Sequence, residues 1–168
     1  MDTRSYSAAR RHAARLGVAA VAASTVAGAL LAAGPAFAGT ASHHPAAATG
    51  ISKGGYIVGF ATDAAGTTSS WMLAPGGQLT TFQFPGGSDT QAFGINPQKQ
   101  IVGSYLDGNG VQHGFVLTNP QGPKSHWQSI DDPNGIGSTV VNGINGAGDL
   151  VGFYTDAAGN TDGMLATP

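Results

Sequence analysis

Apolar positions in this chain come in short runs, each closed by glycine or proline. Ile57-Val58-Gly59-Phe60-Ala61-Thr62 reads as one strand. Asp63-Ala64-Ala65-Gly66 follows as a turn, with an aspartate to bond its own backbone and a glycine to take positive φ. Trp71 to Ala74 is the returning strand, and Pro75-Gly76-Gly77 turns the chain again. Leu79 to Phe84 is a third strand, ended by Pro85-Gly86-Gly87. Gln91 to Ile95 reads as a fourth, leading into the next segment. Beyond the first 38 residues no stretch holds a 3.6-residue period. The pattern predicts an all-β fold of short antiparallel strands.

The pattern also repeats. Gly50-Ile51-Ser52 followed by Ile57-Val58-Gly59 matches Gly94-Ile95-Asn96 with Ile101-Val102-Gly103, and Gly143-Ile144-Asn145 with Leu150-Val151-Gly152. The spacing is 44 residues from Val58 to Val102 and 49 from Val102 to Val151. Behind each Val-Gly come an aspartate (Asp63, Asp107, Asp156), a glycine (Gly66, Gly110, Gly159) and a large apolar residue (Trp71, Phe115, Met164). Repeats one and two add a second half, Leu79 to Pro85 and Trp127 to Pro133, that repeat three stops short of. One β-repeat domain is therefore expected over 50–168, with repeats at 50–93, 94–142 and 143–168.

Four strands in each unit is the size of a β-propeller blade. Both faces of the first strand are largely apolar, so both are expected to be covered. The mid-strand glycines Gly59, Gly103 and Gly152 point to a place where another sheet comes close. Two and a half units are fewer than the roughly four to eight blades of a propeller. Three routes remain open, one of them a shortened relative that folds poorly; the other two are favoured. Copies of the chain assemble, as in a ring, or the repeats close on themselves as a small β-barrel or sandwich.

The order Gly-Ile-Asn, Ile-Val-Gly, Asp-x-x-Gly, His-Gly-Phe and a Pro-Gly turn resembles the HAF repeat of secreted bacterial proteins. Repeat two carries it best, through Gly94-Ile95-Asn96, Ile101-Val102-Gly103, Asp107, Gly110 and His113-Gly114-Phe115. Repeat one departs with Ser52 and with Ser69-Ser70-Trp71; repeat three has Asp162-Gly163-Met164. The resemblance implies an extracellular, propeller-like repeat protein. It brings no catalytic residues to carry over.

The first 38 residues read as a signal peptide. Arg4, Arg10, Arg11 and Arg15 form the basic part, Val18 to Ala33 the apolar part, and Pro35-Ala36-Phe37-Ala38 the small-residue site, with cleavage between Ala38 and Gly39. Arg10-Arg11 leaves both the general and the twin-arginine export routes open. Residues 39–49 read as a flexible mature N-terminus, although Ala46 to Ile51 is also a candidate for the strand preceding repeat one. A secreted, extracellular location is expected, with no membrane span after cleavage.

Cleavage changes the charge. From Gly39 onward three lysines face eight aspartates, a net charge of −5, and every arginine is gone. Such a surface lacks the cations that bind nucleic acid or anionic lipid. There is no cysteine, so the fold rests on packing or assembly.

Candidate chemistry is sparse. Ser69, His113 and Asp162 hold equivalent places and suggest a triad, but a blade apart they cannot bond. No catalytic residue, metal ligand or cofactor is assigned. Asp63, Asp107 and Asp156 could face calcium, yet turn-opening explains all three. His43-His44 belong to the N-terminal stretch, and Asp131-Asp132 to a turn. Trp71 shares its slot with Phe115 and Met164 and is expected in the core. Trp127 and His113 are the candidate ligand contacts.

The leading expectation is a non-enzymatic extracellular module for binding or surface association. Its candidate partners are a second copy, a neutral glycan or an envelope component. A lectin-like protein is the alternative, and a secreted hydrolase using His113 with Asp107 comes last.

Overall fold

The computed structural model describes residues 46–168 apart from 123, together with a two-residue strand β1, Ser7–Ala8. The expected cleavage site at Ala38 and Gly39, and His43-His44, lie outside the described residues. Two complete antiparallel meanders come first. One is β2 (Ala46–Ile51), β3 (Ile57–Thr62), β4 (Thr68–Leu73) and β5 (Leu79–Phe82). The next is β6 (Ser88–Ile95), β7 (Ile101–Leu106), β8 (Gln112–Thr118) and β9 (His126–Ile130). The third sheet is β10 (Thr139–Ile144), β11 (Leu150–Thr155) and β12 (Thr161–Thr167), with β1 paired to β12. The protein is all-β and blade-like. Among the described residues there is no helix, and the strands close no barrel.

The turns follow the expected chemistry. Asp63, Asp107 and Asp156 each accept, through one carboxylate oxygen, the amides two and four residues on, at 2.8–2.9 Å. Gly66, Gly110 and Gly159 close those turns at φ of 86°, 79° and 80°. The Gly-Ile-Asn motif is a second turn of the same kind. Asn96 Oδ1 accepts the amides of Gln98 and Gln100, and Asn145 Oδ1 those of Ala147 and Asp149. Ser52, shorter by one atom, accepts only the amide four residues on, from Tyr56.

The phase of the unit differs from the sequence reading. Gln91 to Ile95 does not complete the first sheet. It belongs to β6, which pairs with β7 and heads the second sheet. Ala46 to Thr49, read as part of a flexible stretch, are likewise the start of β2. In the third sheet the fourth place, beside β12, is held by β1. Cleavage after Ala38 would remove that segment.

The mid-strand glycines also have a different neighbour from the one expected. β2, β6 and β10 each carry a β-bulge, at Thr49, Phe93 and Asn142. The bulged strand swings a carbonyl over the glycine of the next strand in the same sheet. A Cβ on Gly59, Gly103 or Gly152 would lie 1.9 Å from the oxygen of Ala47, Gln91 or Val140. The close approach is made by the neighbouring strand, not by another sheet.

The sheets stack face to face in chain order, with the β6–β9 sheet in the middle. Val58 and Met72 of the first sheet share a core with Ile101, Phe115 and Leu117 of the second. On the other face of the second sheet, Val102, Val116 and Ile130 meet Val141, Leu150 and Met164 of the third. The innermost strands touch along a row of glycines. The Cβ position of Gly50 is 3.1 Å from Gly94 Cα, and that of Gly94 is 3.5 Å from Gly143 Cα. Polar ties fix the stacking. Ser70 Oγ donates to the Thr90 carbonyl at 2.9 Å and accepts the Ala92 amide at 2.8 Å. Asn96 Nδ2 donates to the Asn145 carbonyl at 3.1 Å.

Candidate functional site

Ser69, His113 and Asp162 lie on β4, β8 and β12, one in each sheet, at matching registers. They form no common site. His113 instead finds its partners within its own sheet. It stands opposite Tyr105 on β7, one residue before the Gly114–Ile130 pair that joins β8 to β9. That register brings Asp131, just past the end of β9, to its side. His113 Nδ1 and Asp131 Oδ1 are 2.7 Å apart, and His113 Nε2 lies 3.6 Å from Asp107 Oδ2.

The imidazole is thus held between two carboxylates, each with its own support. Asp131 Oδ2 accepts the Ser129 hydroxyl at 3.2 Å, and Ser129 Oγ accepts the Tyr105 hydroxyl at 3.1 Å. The circuit closes because the His113 ring stacks on Tyr105, with centroids 5.3 Å apart at 27°. Nδ1 is within hydrogen-bond reach of Asp131, whereas Nε2 lies at a longer contact distance from Asp107. The order is hydroxyl, carboxylate, imidazole. The carboxylate stands between Ser129 and His113, so the ring does not reach the serine proton as the base of a triad would.

An aromatic row leads away from this clasp. Tyr105 stacks on Phe84 at 3.6 Å and 4°, and Phe84 meets Trp127 edge-on at 5.3 Å. Trp127 also touches Phe82 and Phe115. The two candidate contacts, His113 and Trp127, therefore stand at opposite ends of one continuous row on the same face of the β6–β9 sheet. Trp127 is half-buried, because its alternation on β9 turns it toward the first sheet. Trp71 takes the slot expected of it, buried over Gly59, and its indole N–H has no acceptor among the described residues.

Asp132 opens the turn expected of it, accepting the Asn134 amide at 2.9 Å. Asp131, read from the sequence as part of a turn with Asp132, instead stands beside His113. Its signal was the alternation Trp127, Ser129, Asp131 along one face. Among the described residues no group of three or more His, Cys, Asp or Glu side chains is placed to hold a metal ion.

Two turn aspartates are held below the usual carboxylate value of 3.8. At Asp107 the Val111 amide is the main cause, desolvation opposes it, and Asn109 and His113 assist. At Asp156 the Asn160 side chain and amide dominate. A carboxyl lowered by folding stabilises the native state fully above its unfolded value and loses that contribution as pH falls through the folded value. The melting temperature is therefore expected to drop as pH falls below 3.8. The drop should be shallower in an Asp107→Asn, Asp156→Asn variant. Circular dichroism melts across that range check it; parallel curves would remove these two residues from the acid response.

No protein-family description, no curated protein and no solved structure matches this chain.

Proposed function

We propose that this chain is a secreted, non-enzymatic repeat module that acts outside the cell by binding or surface association. The supporting observation is where its polar side chains go. Aspartates and asparagines of the repeats are committed to turns, and Ser70 and Asn96 to ties between sheets. Outside these lies the His113 clasp, whose imidazole and two carboxylates are part-exposed. The three-part leader and the resemblance to HAF repeats support export. The order of Ser129, Asp131 and His113 favours a binding role over hydrolysis.

A lectin-like reading is favoured by the same clasp. Asp131 and Asp107 present part-exposed carboxylate oxygens on either side of the His113 ring, a combination that accepts sugar hydroxyls. A net charge of −5 from Gly39 onward suits a neutral glycan over an acidic one.

Two measurements test this. Intact mass of the protein released by the host is expected to match a chain beginning at Gly39; a retained leader would remove the secreted part of the reading. A broad glycan array probed with the full chain is expected to show neutral glycans, with binding about tenfold weaker in Asp131→Asn. Silence on the array combined with retention on isolated envelopes would end the lectin-like reading and leave the module. Silence on both would end the binding proposal.

A further inference from the structure

The two outermost sheets each leave exposed, on their outer faces, apolar positions that are buried elsewhere in the stack, although Trp71 on the outer face of the first sheet is only 9% exposed. Val58, Val102 and Val151 hold the same place in the three sheets. The first two are 0% exposed, and Val151 is 50% exposed. Their cross-strand partners Met72, Val116 and Leu165 follow suit at 0%, 2% and 41%. The opposite end shows the mirror case. Ile95 is 7% exposed against the first sheet, while its equivalent Ile51, on the far side of that sheet, is 69% exposed.

These faces are complementary, because inside the chain one already packs on the other. The face of the first sheet carrying Val58 and Met72 covers the face of the second carrying Ile95 and Ile101. The exposed end of the third sheet is the Val58 type. The exposed end of the first sheet is the Ile95 type. The glycine row points the same way. Gly50 is met by Phe93 O and Gly94 Cα of the next sheet, and Gly94 by Asn142 O and Gly143 Cα. At Gly143 the contact within 4 Å among the described residues is Val151 of its own sheet, with no strand of a following sheet beside it. At the other end Ala48, Thr49, Gly50, Ile51 and Ile57 line a shallow hollow of about 260 Å³. Stacked repeats that stand alone carry polar outer faces at their ends. Neither end here does.

We infer that these two faces dock a second copy of this chain head to tail. The Val151, Phe153 and Leu165 face of one copy seats on the Ile51 and Ile57 face of the next, continuing the internal stacking of sheets. Unlike faces meet, so the contact is heterologous. It closes into a ring if the rotation allows and otherwise extends.

The test is solution mass by light scattering over a concentration series, using the full chain as the host yields it. The wild type is expected to associate. Val151→Asp and Ile51→Asp each remove one face, and each alone is expected to associate at least about tenfold more weakly. Both side chains are exposed, so each variant should keep the wild-type β signal in circular dichroism. If either fails to fold, Leu165→Asn and Ile51→Ser replace them. The decisive sample is the equimolar mixture of the two variants. Each supplies the face the other lacks, so the mixture is expected to form a dimer that grows no further. A wild type that stays monomeric throughout would overturn the inference. So would a mixture that stays monomeric although the wild type associates, since like faces would then be pairing.

Discussion

Replacing Gly103 by alanine is expected to cost about 3 kcal/mol or more of folding stability. The added Cβ would sit 1.9 Å from the Gln91 oxygen, 2.9 Å from Ala92 Cα and 2.8 Å from the Phe115 ring. Two of those three are backbone atoms, which cannot rotate aside. Relief requires the β6 bulge to flatten, and flattening pulls the strand off its register with β7. Gly108→Ala is the control. Gly108 lies on an exposed turn, takes no positive φ, and a Cβ there meets nothing within 4 Å. Its change should stay within about 0.5 kcal/mol. Urea unfolding of both variants measures the pair. Equal, small losses would mean that the bulge and the glycine are not held together as described.

Phe115→Ala should be the next most damaging change, at about 3–5 kcal/mol. The ring is fully buried, lies in the core shared by the first two sheets and touches Trp127 at 5.2 Å. A domain of this size has a net stability of only about 5–15 kcal/mol, so the variant should be partly unfolded at modest urea. Phe115→Met gives the contrast. Methionine fills the equivalent slot at Met164, and a swap that nearly keeps volume should cost less than about 1.5 kcal/mol. A methionine variant as weak as the alanine one would show that the slot is shaped for a ring. Equivalence between repeats would then not extend to packing.

Much of this fold was legible in the residues because its signals are local. Strand Ile57–Thr62 was bounded by its own turn residues, and Asp63, Asp107 and Asp156 bond amides no more than four residues away. Trp71 could be placed in the core because Phe115 and Met164 share its slot. The phase of the unit was not legible. A period fixes the length of a repeat but not which strand pairs begin it, so Gln91 to Ile95, read as a fourth strand leading into the next repeat, could not be given its partner β7. The glycines announced a close approach without naming the neighbour, since a bulge is a property of pairing.

The candidate site was legible only in part. His113 stood out beside Gly114 near the start of a strand that follows a turn, but its partner Asp131 is 18 residues away across the β8–β9 connection. Only the register Gly114 to Ile130 brings the two together. Trp127, a candidate ligand contact in the sequence, is half-buried, since strand alternation packs it against Phe82, Phe84 and Phe115.

The central claim is that the strands form three sheets, β2–β5, β6–β9 and β10–β12 with β1, and that the sheets stack in chain order along a glycine row. Nuclear Overhauser spectroscopy on the labelled full chain tests it most directly. Cross-peaks between the α-protons of Gly50 and Gly94, and between those of Gly94 and Gly143, are predicted. Their absence, in a spectrum that still shows the strand pairing of β3 with β4 and of β7 with β8, would mean that the sheets form but do not stack this way.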